Sequence, residues 1–303
     1  MLQTKICKVR LENPTVLASG ILGVSGKLMV RVAQNGAGAV TTKSVFVNER
    51  EGHPNPTVLA GKDFLINAVG LSGPGVEGES EEIRYIKKNT KAPVIASIAG
   101  GTVKEFGAVA KKISLAKPDL IEVNISCPNV EAEFGKPFGT DAKVAAKVTE
   151  TVKENTSIPI IVKLTPNVED IASIAKAVEN AGADAVSAIN TVGPERIVDT
   201  ITGKPFLANK SGGISGPRIF PISTRMVKQI YRTVKIPIIG MGGVTYGKDA
   251  VKMIKMGACA VGVGSAVYFR EIDVFKKICD EMRLIMKKEG FKSIDEMVGR
   301  GNE

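Results

Sequence analysis

Eight short runs of apolar, β-branched or small residues recur along the chain. They are TVLASG (15–20), AVTTKSV (39–45), PVIASIA (93–99), LIEVNIS (120–126), PIIVKLT (159–165), AVSAINT (185–191), PIIGMGG (237–243) and AVGVGSA (260–266). Their near-continuous apolarity is the pattern of strands covered on both faces, as in parallel sheets. Between them the spacing changes to three and four, as in DIASIAKAVENAGA (170–183) and DAVKMIKMGA (249–258), each closed by glycine.

Strand and helix alternating eight times predict a closed (β/α)8 TIM barrel, with an open doubly wound sheet as the alternative. The paired segments IPIIVKL and IPIIGMG repeat one strand type. No linker or low-complexity stretch interrupts the chain, so residues 1–303 are expected to form one barrel domain. Residues 5–12 are expected to add a small N-terminal hairpin beneath it, and the segment from Arg270 reads as a closing helix. Three connections, 46–75, 127–138 and 192–216, exceed the usual short loops. On the carboxyl-terminal face of a barrel they would form lids or substrate walls.

Composition narrows the function. A net charge of +10 suits an anionic ligand or an acidic partner as well as a plain lysine-rich surface. Nucleic acid is disfavoured, because the cations are dispersed and only 5% of residues are aromatic. Cys7, Cys127, Cys259 and Cys279 form no CxxC pair, so no metal site is readable. Their spacing and the absence of a secretory pattern or membrane-length apolar run fit reduced thiols in the cytoplasm. The only histidine, His53, lies in a proline-rich loop, which disfavours a histidine-dependent triad.

The strand ends collect the chemistry. Ser19, Lys43, Ser44, Asn124, Cys127, Lys163, Asn190, Thr191, Gly242, Gly243, Gly264 and Ser265 all fall there. Glycine pairs at the seventh and eighth strands match the position where barrels hold phosphate. Lys43 and Lys163 lie in buried strands and require an anion: a phosphate, a carboxylate or a reduced flavin. The amides of Asn67, Asn124 and Asn190 complement a ring edge that alternates N–H and C=O, whereas Asn129 after proline suits a turn. Three of the thiols read as small core residues. Cys127 differs because it ends a strand, precedes proline and opens a long loop; it suits a nucleophile or a proton-transfer base.

These residues resemble a known family. VNISCPN (123–129), the Lys43–Ser44 pair, NAVGL (67–71), KLTPN (163–167) and IPIIGMGGV (236–244) are similar to class 1 dihydroorotate dehydrogenases. FGTD (138–141) and GVGSA (262–266) resemble the catalytic subunit of the NAD-linked subclass. The resemblance implies an FMN-dependent barrel that oxidises (S)-dihydroorotate to orotate in pyrimidine biosynthesis. It makes Cys127 the base at C5, with hydride leaving C6 for the flavin. It assigns Lys43, Asn67, Ala68, Val69, Gly70, Leu71, Asn124, Asn190 and Thr191 to substrate. To FMN it assigns Ser19, Lys43, Ser44, Ser97, Asn124, Lys163, Ile189, Gly216, Gly242, Gly243, Gly264 and Ser265. Ser97 replaces an asparagine common in the family and keeps one hydrogen bond. The implied assembly is a homodimer of this chain joined by a subunit carrying FAD and an iron–sulfur cluster, as a heterotetramer. A quinone-linked relative would use serine as base and carry a membrane-associating segment. A fumarate-linked enzyme, a dihydropyrimidine dehydrogenase-like enzyme acting on uracil and a non-catalytic phosphate-binding barrel are the alternatives. Lys43, as a carboxylate anchor, argues against uracil.

Overall fold

The computed structural model describes residues 1–126 and 137–302. Its strands, in chain order, are β1 (Thr4–Ile6), β2 (Val9–Leu11), β3 (Thr15–Leu17), β4 (Ala39–Thr41), β5 (Val58–Ala60), β6 (Leu65–Asn67) and β7 (Val94–Ile98). They continue as β8 (Leu120–Asn124), β9 (Ile160–Lys163), β10 (Ala185–Ala188), β11 (Val192–Glu195), β12 (Gly212–Ser215), β13 (Ile238–Met241) and β14 (Ala260–Val263). The eight apolar runs become β3, β4, β7, β8, β9, β10, β13 and β14, paired in that order into a closed parallel barrel. The (β/α)8 reading holds, and the open sheet does not form.

The helices return the chain along the outside. They are α1 (Gly26–Gln34), α2 (Gly75–Asn89), α3 (Val103–Ile113), α4 (Ala142–Glu154), α5 (Ile171–Asn180), α6 (Phe220–Tyr231) and α7 (Gly247–Lys255), then α8 (Ala266–Arg270), α9 (Val274–Glu289) and α10 (Ile294–Met297). Polar caps start several of them: Ser25, Thr102, Asp141 and Asp170 each accept from a backbone N–H of the first turn. The closing helix α9 ends at Gly290, whose φ of +81° is a left-handed cap that glycine adopts without a Cβ clash.

Two apolar layers hold the barrel. One lies between the strands and the helices. The other fills the lower interior, where Val16, Ala39, Ile95, Leu120, Ile161, Ala185, Ile239 and Ala260 meet. Hairpin β1–β2 closes this end, with Thr4 opposite Leu11 and Ile6 opposite Val9. Its Ile6 and Leu11 are buried in the same cluster, so the hairpin is a floor. At the other end no such plug is found among the described residues, and the cavity opens there.

The connections 46–75 and 192–216 are more ordered than loops. Strands β11, β12, β6 and β5 pair in that order into a four-stranded antiparallel sheet standing on the mouth of the barrel. Its inner register sets Asn67 opposite Gly213 and Leu65 opposite Ser215. Strands this short carry almost no periodic signal, which is why they read as loops.

Replacing Ile6 by alanine removes a fully buried anchor of the floor. The expected loss of stability is about 2–5 kcal/mol. Equilibrium urea unfolding, with an unchanged slope against denaturant, checks it.

Candidate active site

A cavity of about 350 Å³ lies at the carboxyl ends of the barrel strands, with β5, β6 and β12 on one side. Its size falls in the range of small-molecule sites, roughly 300–1,000 Å³. Of the residues expected from sequence, Ser19, Lys43, Ser44, Asn67, Val69, Gly70, Leu71, Asn124, Lys163, Ile189, Asn190, Thr191, Gly216, Gly242, Gly243, Gly264 and Ser265 all line it. Ala68 and Ser97 do not. Ala68 is buried in the core, and Ser97 is fully buried in β7, its hydroxyl 2.8 Å from Ser44 Oγ just beneath the cavity lining. Alternation along an extended segment puts the Ala68 side chain on the face opposite its neighbours Asn67 and Val69. Ser97 lies deeper along its strand than the cavity reaches. Cys127 and Asn129 lie outside the described residues.

Lys43 follows β4, and its Nζ donates to Ser72 Oγ at 2.8 Å. Burial lowers its pKa, while the carboxylate of Glu79 acts in the opposite direction. Glu79 sits on α2, is buried, and has its Oε1 without a hydrogen-bond partner among the described residues. Burial pushes its carboxyl up to about 8, the neighbouring Glu82 adds to the shift, and Lys43 opposes it.

Opposite Lys43 the wall is backbone. Gly216, Gly242 and Gly243 have φ of +102°, +112° and +84°. A Cβ on Gly243 would stand 2.7 Å from Gly216 O, and one on Gly216 would stand 2.9 Å from Phe64 Cα. Only glycine lets these segments pack, and their bare backbone faces the cavity.

Below the cavity is a buried polar layer. Glu122 on β8 pairs with Lys163 Nζ on β9 at 3.4 Å, both side chains almost wholly buried. Ser97 and Ser187 donate to the same carboxylate at 3.2 and 3.0 Å. The second anion-seeking lysine therefore already has a protein partner. Sequence reasoning passed over Glu122, yet a charge in the middle of LIEVN was the signal. His53 braces the mouth: its Nδ1 is 3.1 Å from Ala68 O, and its backbone N–H donates to Val69 O. Of the remaining thiols Cys279 is a buried core residue, as expected, whereas Cys7 and Cys259 are half-buried. Burial pushes Cys7, Cys259 and Cys279 up to about 11, 12 and 11.

A closed (β/α)8 barrel with a cavity at its carboxyl-terminal mouth, lined by apolar residues and a few convergent polar ones, has the layout of the barrel enzymes. The sequence profile described as "Dihydroorotate dehydrogenase" matches residues 1–286, and the chain belongs to that family. It is 43% identical over 303 residues to a protein of Methanothermobacter thermautotrophicus, covering 100% of this chain and 99% of the relative. It is 44% identical over 306 residues to one of Methanocaldococcus jannaschii, covering 100% and 99%. A Methanosarcina mazei protein is 44% identical over 296 residues, covering 97% of this chain and 93% of its own. Each of the three is named dihydroorotate dehydrogenase B (NAD(+)), catalytic subunit.

Glu79 predicts a pH dependence. Its folded-state value of about 8 stands above the ordinary 4.5. The stability it contributes is complete below 4.5 and is lost as pH rises to about 8. Against Glu79→Gln, the wild type is expected to lose up to about 1.4 kcal/mol per pH unit across that window. Urea unfolding of both proteins at pH 5 and pH 8 checks it.

Proposed function

We propose that the chain is the catalytic subunit of an NAD-linked dihydroorotate dehydrogenase, which oxidises (S)-dihydroorotate to orotate with bound FMN. Electrons then pass through a partner subunit that carries FAD and an iron–sulfur cluster. The observation that carries the reading is the convergence of Lys43, Asn67, Asn124 and Asn190 on one cavity whose opposite wall is glycine backbone. The relatives' shared name supports the acceptor. Among the described residues no helix is long and apolar enough to cross a membrane. A cytoplasmic location and a homodimer within a heterotetramer belong to the same proposal.

The residues present suit FMN. The backbone of Gly216, Gly242 and Gly243, which only glycine lets pack this closely, would offer its N–H groups to the phosphate. Gly264 and Ser265 extend that cradle, while Ser19, Ser44 and Ile189 border the ring. Bound FMN supplies a two-electron acceptor for hydride. Lys163 lines the cavity and would donate to the ring, its charge already balanced by Glu122.

The chain's own side chains do the rest. Lys43 neutralises the substrate carboxylate, and the charge-assisted bond fixes the ring's orientation. Asn67, Asn124 and Asn190 match the alternating donors and acceptors of the ring edge. Val69, Gly70, Leu71 and Thr191 exclude water around it. Cys127 takes the proton from C5, a role that rests on its place in the family motif.

Two variants test the assignment. Lys43→Ala is expected to weaken orotate binding by about tenfold to a hundredfold while FMN binding changes little. Parallel titrations with orotate and with FMN measure both, and equal losses would reassign Lys43 to the cofactor. Cys127→Ala is expected to keep FMN and to slow its reduction by dihydroorotate at neutral pH by about 10²–10⁴. Stopped-flow bleaching of the flavin reads this, and wild-type rates would remove the base role.

A further inference from the structure

We propose that Glu79 is a positioning residue that acts through Lys43. Its buried carboxyl keeps its proton while substrate binds, so Lys43 meets the incoming carboxylate with an uncompensated charge. The inference rests on the substrate reading above and extends it to a side chain outside the cavity lining.

One continuous stretch of chain supplies the parts. Asn67, Val69, Gly70 and Leu71 line the cavity, and the next residue, Ser72, holds Lys43 Nζ at 2.8 Å. Helix α2 begins three residues later, at Gly75, and turns Val76, Glu79, Ser80 and Ile83 inward. Helices α1 and α3 and strand β7 pack on it. Glu79 is thus an acid on the apolar face of the helix, with 1% of its surface exposed. Its neighbour Ser80 is satisfied, the hydroxyl donating to Val76 O at 2.7 Å. Glu79 Oε1 has no hydrogen-bond partner among the described residues.

A carboxylate there finds nothing to replace the water it has lost, so the neutral acid is the favoured form. Burial pushes the group up to about 8, with Glu82 adding to the shift and Lys43 opposing it. Glu82 lies one turn on along α2 and accepts the N–H of Gly26 at the start of α1. The other charged side chains of the packed elements face water. Lys27 and Arg31 of α1 are exposed, as are Lys104, Lys111 and Lys112 of α3. Glu105 of α3 is engaged by the Gly101 N–H at 2.7 Å. In the loop before α2, Glu49 and Arg50 are exposed, and β7 carries no ionisable residue. Lys43 is the cation whose field reaches Glu79.

The protonation of Glu79 therefore decides what Lys43 offers. Were Glu79 ionised, it would offset the Lys43 ammonium much as Glu122 offsets Lys163, and an arriving anion would meet no net charge. With its proton in place, one full positive charge remains, and the neutral Ser72 hydroxyl orients Nζ without cancelling it. The coupling is reciprocal: a carboxylate bound at Lys43 makes Glu79 harder to ionise. Substrate affinity is accordingly complete below about pH 8 and declines above it, by at most about one decade per pH unit.

The test is orotate titration of the FMN-loaded protein from pH 6.5 to pH 9, followed by flavin absorbance, with FMN content and thermal melting recorded for each variant. Ionisations of orotate, FMN and Cys127 are common to all variants, so the difference between their pH profiles isolates Glu79. From pH 7 to pH 9 the wild type is expected to lose about threefold to tenfold more orotate affinity than Glu79→Gln, whose amide stands permanently for the uncharged acid. Glu79→Met, uncharged and apolar, is expected to follow Glu79→Gln and to retain FMN. Matching profiles in the wild type and Glu79→Gln overturn the proposal. So does loss of orotate binding at every pH in Glu79→Met but not in Glu79→Gln, which would make the side chain a hydrogen-bonding anchor. A wild-type protein that takes FMN yet ignores orotate at every pH would instead refute the substrate reading, and the inference with it.

Discussion

The buried pair of Glu122 and Lys163 is the contact on which the rest of the interior depends. A closed barrel has one interior, filled in layers by the inward side chains of its strands. Here the filling changes from wholly apolar at the floor to ionic within about one step of the strand repeat. Ile161 is the register partner of Glu122, and Asn124 is the register partner of Lys163. Two charges this deep are tolerated because each satisfies the other and because Ser97 and Ser187 complete the carboxylate. Losing either partner leaves the other buried and uncompensated, at a cost of about 3–5 kcal/mol. Below the pair the protein is a packed core; above it, the interior becomes a binding site.

The two lysines of the mouth are treated differently. Lys163 has a carboxylate in contact. Among the described residues Lys43 has the Ser72 hydroxyl as its hydrogen-bond partner, with Glu79 acting on it from within the core. A lysine already neutralised is suited to adjusting the potential around a cofactor. One held by a neutral hydroxyl keeps its charge available for an incoming anion. Residue type alone does not reveal this division, because both sit at strand ends in similar apolar runs.

Most of the framework was legible in the sequence because buried parallel strands advertise themselves as continuous apolar runs. All eight barrel strands followed from that signal. The cavity lining was legible through its strand-end polar residues, while Ala68 and Ser97 lie just outside that lining. Glu122 was passed over because attention fell on strand ends while its chemistry lies one layer down. The sheet of β5, β6, β11 and β12 was hidden for another reason. Its strands have three or four residues each and gain their order from pairing across more than a hundred positions.

That small sheet ties two distant parts of the chain into a single body. The insertion after the second barrel strand supplies Asn67, and the insertion after the sixth supplies Gly213, its direct neighbour across the ladder. A Cβ on Gly213 would collide with the Thr191 hydroxyl, so the pairing is also fixed from the cavity side. Neither insertion can be shortened, swapped or reshaped without unseating the other. Through descent the two are therefore bound to change in concert, and a graft of one substrate wall into another barrel must bring both.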